Sequence, residues 1–184
     1  MNNSHCRSSS KKALFLDPDG IINVDCRYVC KIEDFEFTDS IFDLVRLFSD
    51  AGYLVFVVTN QSGIGHGYYT EEDFSTLTAW MKEKFKENGI KIEEVYYCPH
   101  APEANCHCRK PETGMIEEVL KTYSIDLPAS WMIGDKQSDM DLARNAGLGH
   151  SIYIGQKKIQ NSTYNFGSIL ACKSYLEKNR NIIR

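Results

Sequence analysis

The sequence predicts an α/β fold built on one open parallel sheet, and three observations carry that reading. Short continuous apolar runs of strand length, at Leu14-Phe15-Leu16, Tyr53 to Val58, Ile92 to Tyr97, Trp131-Met132-Ile133 and Ser151 to Ile154, look buried on both faces. Stretches with apolar residues at helical spacing separate these runs, which implies right-handed parallel crossovers. Residues suited to chemistry follow the strand ends, where open α/β sheets hold their ligands.

With 184 residues and 42% hydrophobic content, the chain can build one substantial core and is too short for two. Residues 13–184 are therefore expected to form a single domain. Residues 1–12, with a Ser run and paired Lys, are expected to be a disordered tail. No apolar run approaches the roughly 20 residues of a membrane span, and no secretory signal is evident, so the cytoplasm is the expected location. A net charge of -4 argues against a nucleic-acid footprint. The expectation is a monomer acting on a small molecule, with no nucleic-acid or membrane partner. Seven cysteines is an odd count, of which Cys6, Cys26, Cys30 and Cys172 read as plain thiols.

The first run ends in Asp17-Pro18-Asp19-Gly20, two carboxylates two residues apart just past a buried strand. One ionised carboxylate can attack an electrophile while its neighbour carries a proton to or from the leaving oxygen. Residues 24–38 lack a clean period and read as a long loop, or a hairpin, flanking the site. Ile41, Leu44, Val45 and Phe48 recur at helical spacing, with Thr38, Asp39 or Ser40 as cap and Gly52 as stop. The second run leads into Thr59-Asn60-Gln61-Ser62-Gly63-Ile64-Gly65, whose hydroxyl, amide and flexible backbone suit phosphate oxygens. Thr70 to Asp73 resembles a capping box, and Phe74, Leu77, Met81 and Phe85 give the next helix its apolar face.

The third run delivers the chain to the loop 98–108. Here Cys98, His100, Cys106 and Cys108 supply the Cys₃His set that structural, tetrahedral zinc prefers. A closed four-ligand shell leaves no position for a reacting water, so this Zn²⁺ is assigned to pinning the loop. His107 is interposed and expected to point away. Arg109 and Lys110 follow, bringing local positive charge to an acidic protein. Ile116, Val119, Leu120 and Tyr123 make a third amphipathic helix. After the fourth run comes Gly134-Asp135-Lys136-Gln137-Ser138-Asp139, in which Asp135 would face Asp17 and Asp19 across adjacent strands. Such clustered oxygens suit Mg²⁺. Ser138 can cap the following helix, which turns Met140, Ala143 and Ala146 inward. A C-terminal helix containing Ile169, Leu170 and Tyr175 covers the rest; His5, His66 and His150 read as bystanders.

Asp-x-Asp-Gly, then Thr59, then Lys110-Pro111, then Gly-Asp-x-x-x-Asp, in this order over about Leu14 to Ile154, resemble the haloacid dehalogenase (HAD) superfamily of phosphotransferases. Within it, Asp-Gly-Ile-Ile-Asn-Val-Asp, the stretch from Thr59 to Phe74 and Cys-Pro-His…Cys-His-Cys-Arg-Lys-Pro look like the D-glycero-D-manno-heptose 1,7-bisphosphate phosphatases. The resemblance implies a three-layer, Rossmann-like parallel sheet with helices on both faces and no separate cap domain. It implies that Asp17 is the nucleophile forming an aspartyl-phosphate and that Asp19 is the acid and then the base. Mg²⁺ would be held by Asp17, Asp135 and the backbone carbonyl of Asp19, and the phosphoryl group by Thr59 and Lys110. Asn60 and Arg109 would position substrate, Lys136 would support the acids, and Asp139 would stand behind the ligands. The implied reaction removes the 7-phosphate and leaves heptose 1-phosphate, for lipopolysaccharide or another surface glycan.

One departure matters. The residue between the two aspartates is usually Arg in this family; here it is Pro18, which has no amide hydrogen. If that amide binds phosphoryl oxygens, its loss costs on the order of 10²-fold in rate. Two other readings stand beside the first: a histidinol-phosphate phosphatase, sharing fold, aspartates and a similar zinc loop, and a catalytically impaired sugar-phosphate-binding relative.

Overall fold

A computed structural model gives the fold and describes residues 10–26 and 28–184. The six strands β1 (Ala13–Leu16), β2 (Leu54–Asn60), β3 (Ile92–Cys98), β4 (Trp131–Gly134), β5 (His150–Ile154) and β6 (Tyr164–Phe166) form one sheet. Their order is β3-β2-β1-β4-β5-β6, and every neighbouring pair is parallel. The chain therefore runs outward from β1 to β3, then crosses to the other side of β1 and runs outward again. The switch falls between β1 and β4, which is where a parallel sheet opens a crevice beyond its carboxyl ends.

Alternation along each strand divides the core into two layers. Leu14, Leu16, Val55, Val57, Trp131, Ile133, Ile152 and Ile154 pack on one face with α1 (Ile41–Asp50), α3 (Glu71–Glu87) and α6 (Ile169–Lys178). Phe15, Phe56, Val58, Met132 and Tyr153 pack on the other with α4 (Gly114–Thr122) and α5 (Gln137–Ala146). Both faces are thus apolar, which is why the strands read as continuous runs. Each fully buried side chain of this kind contributes about 1.5–3 kcal/mol.

The helix entries follow local chemistry, and not always the residue expected. Thr70 and Asp73 form the capping box of α3, Asp73 N donating to Thr70 Oγ1 at 3.1 Å and Thr70 N to Asp73 Oδ2 at 2.8 Å. Ser40 precedes α1 in a left-handed conformation, φ 68°, and makes no cap bond, and Thr38 Oγ1 donates to Ile21 O. Ser138 lies inside α5, and the cap is Asp139, whose Oδ2 accepts from Lys136 N at 3.0 Å. Leu120, expected on the apolar face of α4, is exposed, and Met115 packs there with Ile116 and Val119; in the C-terminal helix α6, Ile169, Cys172 and Leu176 pack inward while Leu170 and Tyr175 are exposed.

Other differences are local. β6 was not anticipated. Of the expected tail, residues 1–9, including Cys6 and His5, lie outside the described residues, whereas Lys11 already bridges to Ile125 and Lys12 lies over the Tyr53 ring at 4.3 Å. The 24–38 loop is pinched at its base like a hairpin, by an antiparallel bridge of Asn23 to Phe37 and by Val24 N donating to Glu36 O at 2.8 Å. His66 contacts Tyr68, and His150 stacks on Trp131 at 4.3 Å between centroids. No described helix is long and apolar enough to cross a membrane.

Candidate active site

Asp17 is the first residue past β1, and its N–H still donates to Ile133 O of β4 at 3.0 Å. Its carboxylate therefore sits at the switch point, almost wholly buried. The chain then turns sharply: Pro18 O accepts from the N–H groups of Ile21, Ile22 and Asn23 at 3.2, 2.7 and 3.0 Å. Gly20 holds φ +79°, and a Cβ there would fall 2.6 Å from Asp135 Oδ2, so the turn and the neighbouring acid both require glycine.

Lys110 arrives from the side of the 98–108 loop and is buried between two acids. Its Nζ lies 2.6 Å from Asp17 Oδ1 and 2.7 Å from Asp139 Oδ1, and donates to Val58 O at 2.9 Å. Burial disfavours its charge, but Asp139 and Asp17 outweigh that and hold the ammonium above the ordinary lysine range. Lys136 adds a second cation, 3.6 Å from Asp17 Oδ2 and 3.3 Å from Asp135 Oδ1. Burial opposes its charge too, and Asp17 and Asp135 again raise it.

Carboxylate oxygens of Asp17, Asp135 and Asp139 lie within 4.8 Å of one another. Asp135 Oδ1 is buried, and its ion pair with Lys136 Nζ at 3.3 Å lacks hydrogen-bond geometry. Burial, with Asp17 and Asp139 nearby, pushes the Asp135 carboxyl up to about 7 against the pull of Lys136. Four acids, counting Asp19, face two ammoniums, and that surplus of negative charge with an unsatisfied oxygen fits a divalent cation. Asp139, expected behind the ligands, converges with Asp17 and Asp135 while its Oδ1 pairs with Lys110 and its Oδ2 accepts from Lys136 N at 3.0 Å. The Asp19 side chain is not part of this group. Burial first, then Asp17, pushes Asp19 up to about 6, while Asn23 Nδ2 donates to its Oδ1 at 3.4 Å.

A cavity of about 440 Å³ opens above Asp17 and Asp19, walled by Asn60, Gln61 and Ser62 at and just past the end of β2, by Tyr28 and Val29 of the long loop, and by Tyr69, Arg109, Lys110 and Lys136. Loop residues build most of these walls, with Asn60 from the end of β2, Ser62 from the short helix that follows and Ser138 from α5. Asn60 lines the cavity, but its amide is already engaged: Oδ1 accepts from Lys110 N at 2.9 Å and Nδ2 donates to Lys110 O at 3.2 Å. It grips the Lys110 peptide, a role its sequence position did not suggest. Arg109 donates to His100 O at 3.4 Å and lines the same cavity. Thr59 is fully enclosed and does not wall the main cavity; with Pro18, Asp19 and Gln61 it borders a separate void of about 20 Å³.

Behind Lys110, the four metal-type side chains converge. Cys98 Sγ lies 3.4 Å from Cys106 Sγ and 3.6 Å from His100 Nδ1, Cys108 Sγ lies 3.4 Å from Cys106 Sγ, and His100 Nδ1 lies 3.3 Å from Cys108 Sγ. These separations are far beyond a disulfide, about 2.05 Å, and close to the tetrahedral edge of about 3.7 Å implied by Zn–S bonds of about 2.3 Å. His107 turns away, its Nε2 2.9 Å from Glu117 Oε2.

Three comparisons bear on this arrangement. A HAD-hydrolase-like family model matches residues 107–156. A D-glycero-alpha-D-manno-heptose-1,7-bisphosphate 7-phosphatase of Campylobacter jejuni is 48% identical over 147 residues, 80% of this chain and 84% of its own length. A D-glycero-beta-D-manno-heptose-1,7-bisphosphate 7-phosphatase of Helicobacter pylori is 45% identical over 92% of this chain and 96% of its own. In fold, the chain is similar to D,D-heptose 1.7-bisphosphate phosphatase from B. bronchiseptica, crystallised with magnesium and phosphate: TM-score 0.79, 22% identity, covering 91% of this chain and 99% of that one.

Proposed function

The chain belongs to the heptose-1,7-bisphosphate 7-phosphatase family of HAD-like hydrolases, and from that premise we propose that it removes the 7-phosphate of D-glycero-D-manno-heptose 1,7-bisphosphate through an aspartyl-phosphate on Asp17. It is a hydrolase of phosphate monoesters. Residues 13–184 would act as one domain in the cytoplasm, within nucleotide-activated heptose synthesis. The observation that carries the reading is Asp17 at the switch point, braced by Lys110 and Lys136 and open to a loop-walled cavity.

In this reading Asp17 attacks phosphorus while the bond to the sugar oxygen breaks. Asp19, pushed up to about 6, holds the proton that the departing oxygen takes, and later removes one from the water that hydrolyses the intermediate. Lys110 and Lys136 offset phosphoryl charge, Thr59 donates to a phosphoryl oxygen, and Arg109 and Asn60 border the sugar. Asp17 and Asp135, with the Asp19 carbonyl and with Asp139 adjacent, would hold Mg²⁺, which when bound shields the phosphoryl charge from the anionic nucleophile. The test is phosphate release from the α and β anomers of the bisphosphate and from histidinol phosphate, with and without Mg²⁺. Release from a heptose anomer that needs Mg²⁺ is expected; faster release from histidinol phosphate would overturn the substrate.

Zn²⁺ is proposed as a structural ligand of Cys98, His100, Cys106 and Cys108. Elemental analysis should find one zinc per chain, and its removal by a chelator should lower the melting temperature by about 5 °C or more. An unchanged melting temperature after complete removal would show that the loop holds without it. Pro18 gives a further prediction: Pro18→Ala restores the missing N–H and should raise kcat about tenfold or more. An unchanged kcat would show that this amide position does not meet the phosphoryl group.

A further inference from the structure

Tyr69 lies at the end of the loop after β2 and lines the main cavity, yet it is almost wholly buried. Gly63, in the short helix α2 (Ser62–Gly65), makes room for it: a Cβ there would fall 2.1 Å from Tyr69 Cε1. The phenol donates to Gln61 Oε1, and Gln61 Nε2 donates to Thr59 Oγ1 at 2.8 Å. Gln61 is itself fixed by its N–H, which donates to Cys98 O at 2.8 Å.

The direction of this chain has a chemical consequence. A carbonyl oxygen accepts only, so the Tyr69 proton fixes which end of the Gln61 amide faces Thr59. The Thr59 oxygen is then occupied as an acceptor, and its proton must go elsewhere. Thr59 is fully buried and borders the void of about 20 Å³, which shares Asp19, Val29 and Gln61 with the main cavity, and among the described residues its proton has no acceptor. A buried donor left unpaired is unfavourable, so the site calls for an acceptor from outside the protein. A phosphoryl oxygen meets that need and uses both protons. With the amide flipped, Thr59 would donate to Gln61 instead, and the Tyr69 proton would have no acceptor among the described residues. Burial, then Asp19, hold the phenol above its ordinary range, so it remains a donor at neutral pH.

We infer that Tyr69 and Gln61 are positioning residues that aim the Thr59 hydroxyl proton at the transferring phosphoryl group. The inference rests on the phosphatase reading above, in which Thr59 meets that group.

The test is a double-mutant cycle of Tyr69→Phe and Thr59→Val, read as kcat and KM with heptose 1,7-bisphosphate and Mg²⁺, with Gln61→Glu alongside. Tyr69→Phe keeps the ring but frees Gln61 to flip and capture the Thr59 proton, so kcat should fall about tenfold while KM stays within about twofold. Thr59→Val should cost about 10²-fold in kcat, and the double variant should be no slower than Thr59→Val alone. Gln61→Glu conserves size but replaces the donor by an acceptor, and should approach the loss of Thr59→Val. Multiplying effects in the double variant would mean Tyr69 acts independently of Thr59, and the inference falls. It also falls if Tyr69→Phe keeps wild-type kcat, or if Thr59→Val does. A wild-type protein that releases no phosphate would instead overturn the phosphatase reading, and this inference with it.

Discussion

Asp17→Asn is expected to lower phosphate release by at least about 10⁴-fold while leaving the fold intact. The amide matches the carboxylate in size but cannot attack phosphorus. Asp17 is buried, yet its charge is surplus in a cluster where Asp135 and Asp139 lie within 4.8 Å, so removing it relieves repulsion among the acids. Lys110 keeps Asp139 and Val58 O as partners. The melting temperature should therefore stay within a few degrees of the parent, and the loss belongs to kcat. Residual activity within tenfold of the parent would remove Asp17 as the nucleophile.

Lys110→Met should do the reverse and damage stability as well as rate. Its ammonium alone stands between two buried carboxylates, Asp17 and Asp139. Methionine fills much of the same volume and leaves Asp139 without its cation and Asp17 with Lys136 alone, at 3.6 Å, which for a buried network costs about 3–5 kcal/mol. At this chain length that is a fall of about 10 °C in melting temperature. Denaturant unfolding provides the check, with Asp139→Asn as the second change. Adding it to Lys110→Met should recover part of the loss, because one stranded charge is gone. A loss unaffected by Asp139→Asn would mean that packing, and not charge, makes Lys110 stabilising.

The sequence made the frame legible because both faces of the sheet are covered: strands written as unbroken apolar runs admit few other readings. β6 escaped because a three-residue edge strand, Tyr164–Phe166, has no period to detect. In the site, the convergence of Cys98, His100, Cys106 and Cys108 and the place of Asp135 were legible from spacing alone. The double service of Asp139 was not legible: its carboxylate accepts from the Lys136 N–H at the start of α5 and pairs with Lys110, and only the packing of α5 under the sheet edge brings those roles together. Asn60 looked like a substrate contact, but its reach to Lys110 spans fifty positions of sequence. The Tyr69–Gln61–Thr59 chain was invisible for a similar reason: each residue is unremarkable alone, and the bonds depend on the room that Gly63 leaves for the Tyr69 ring.

Asn60 and Gln61 fasten the end of β2 to both ends of the loop that follows β3, at Cys98 and at Lys110. The segment Ala101–Asn105 therefore hangs from two fixed posts, with the four metal-type side chains closing the circle beneath it. Its length and composition can drift, or be exchanged by grafting, without moving the lysine that braces the nucleophile. Of this loop, Arg109 and Lys110 wall the cavity and both lie beyond the hanging segment, so variation in that segment is insulated from the chemistry.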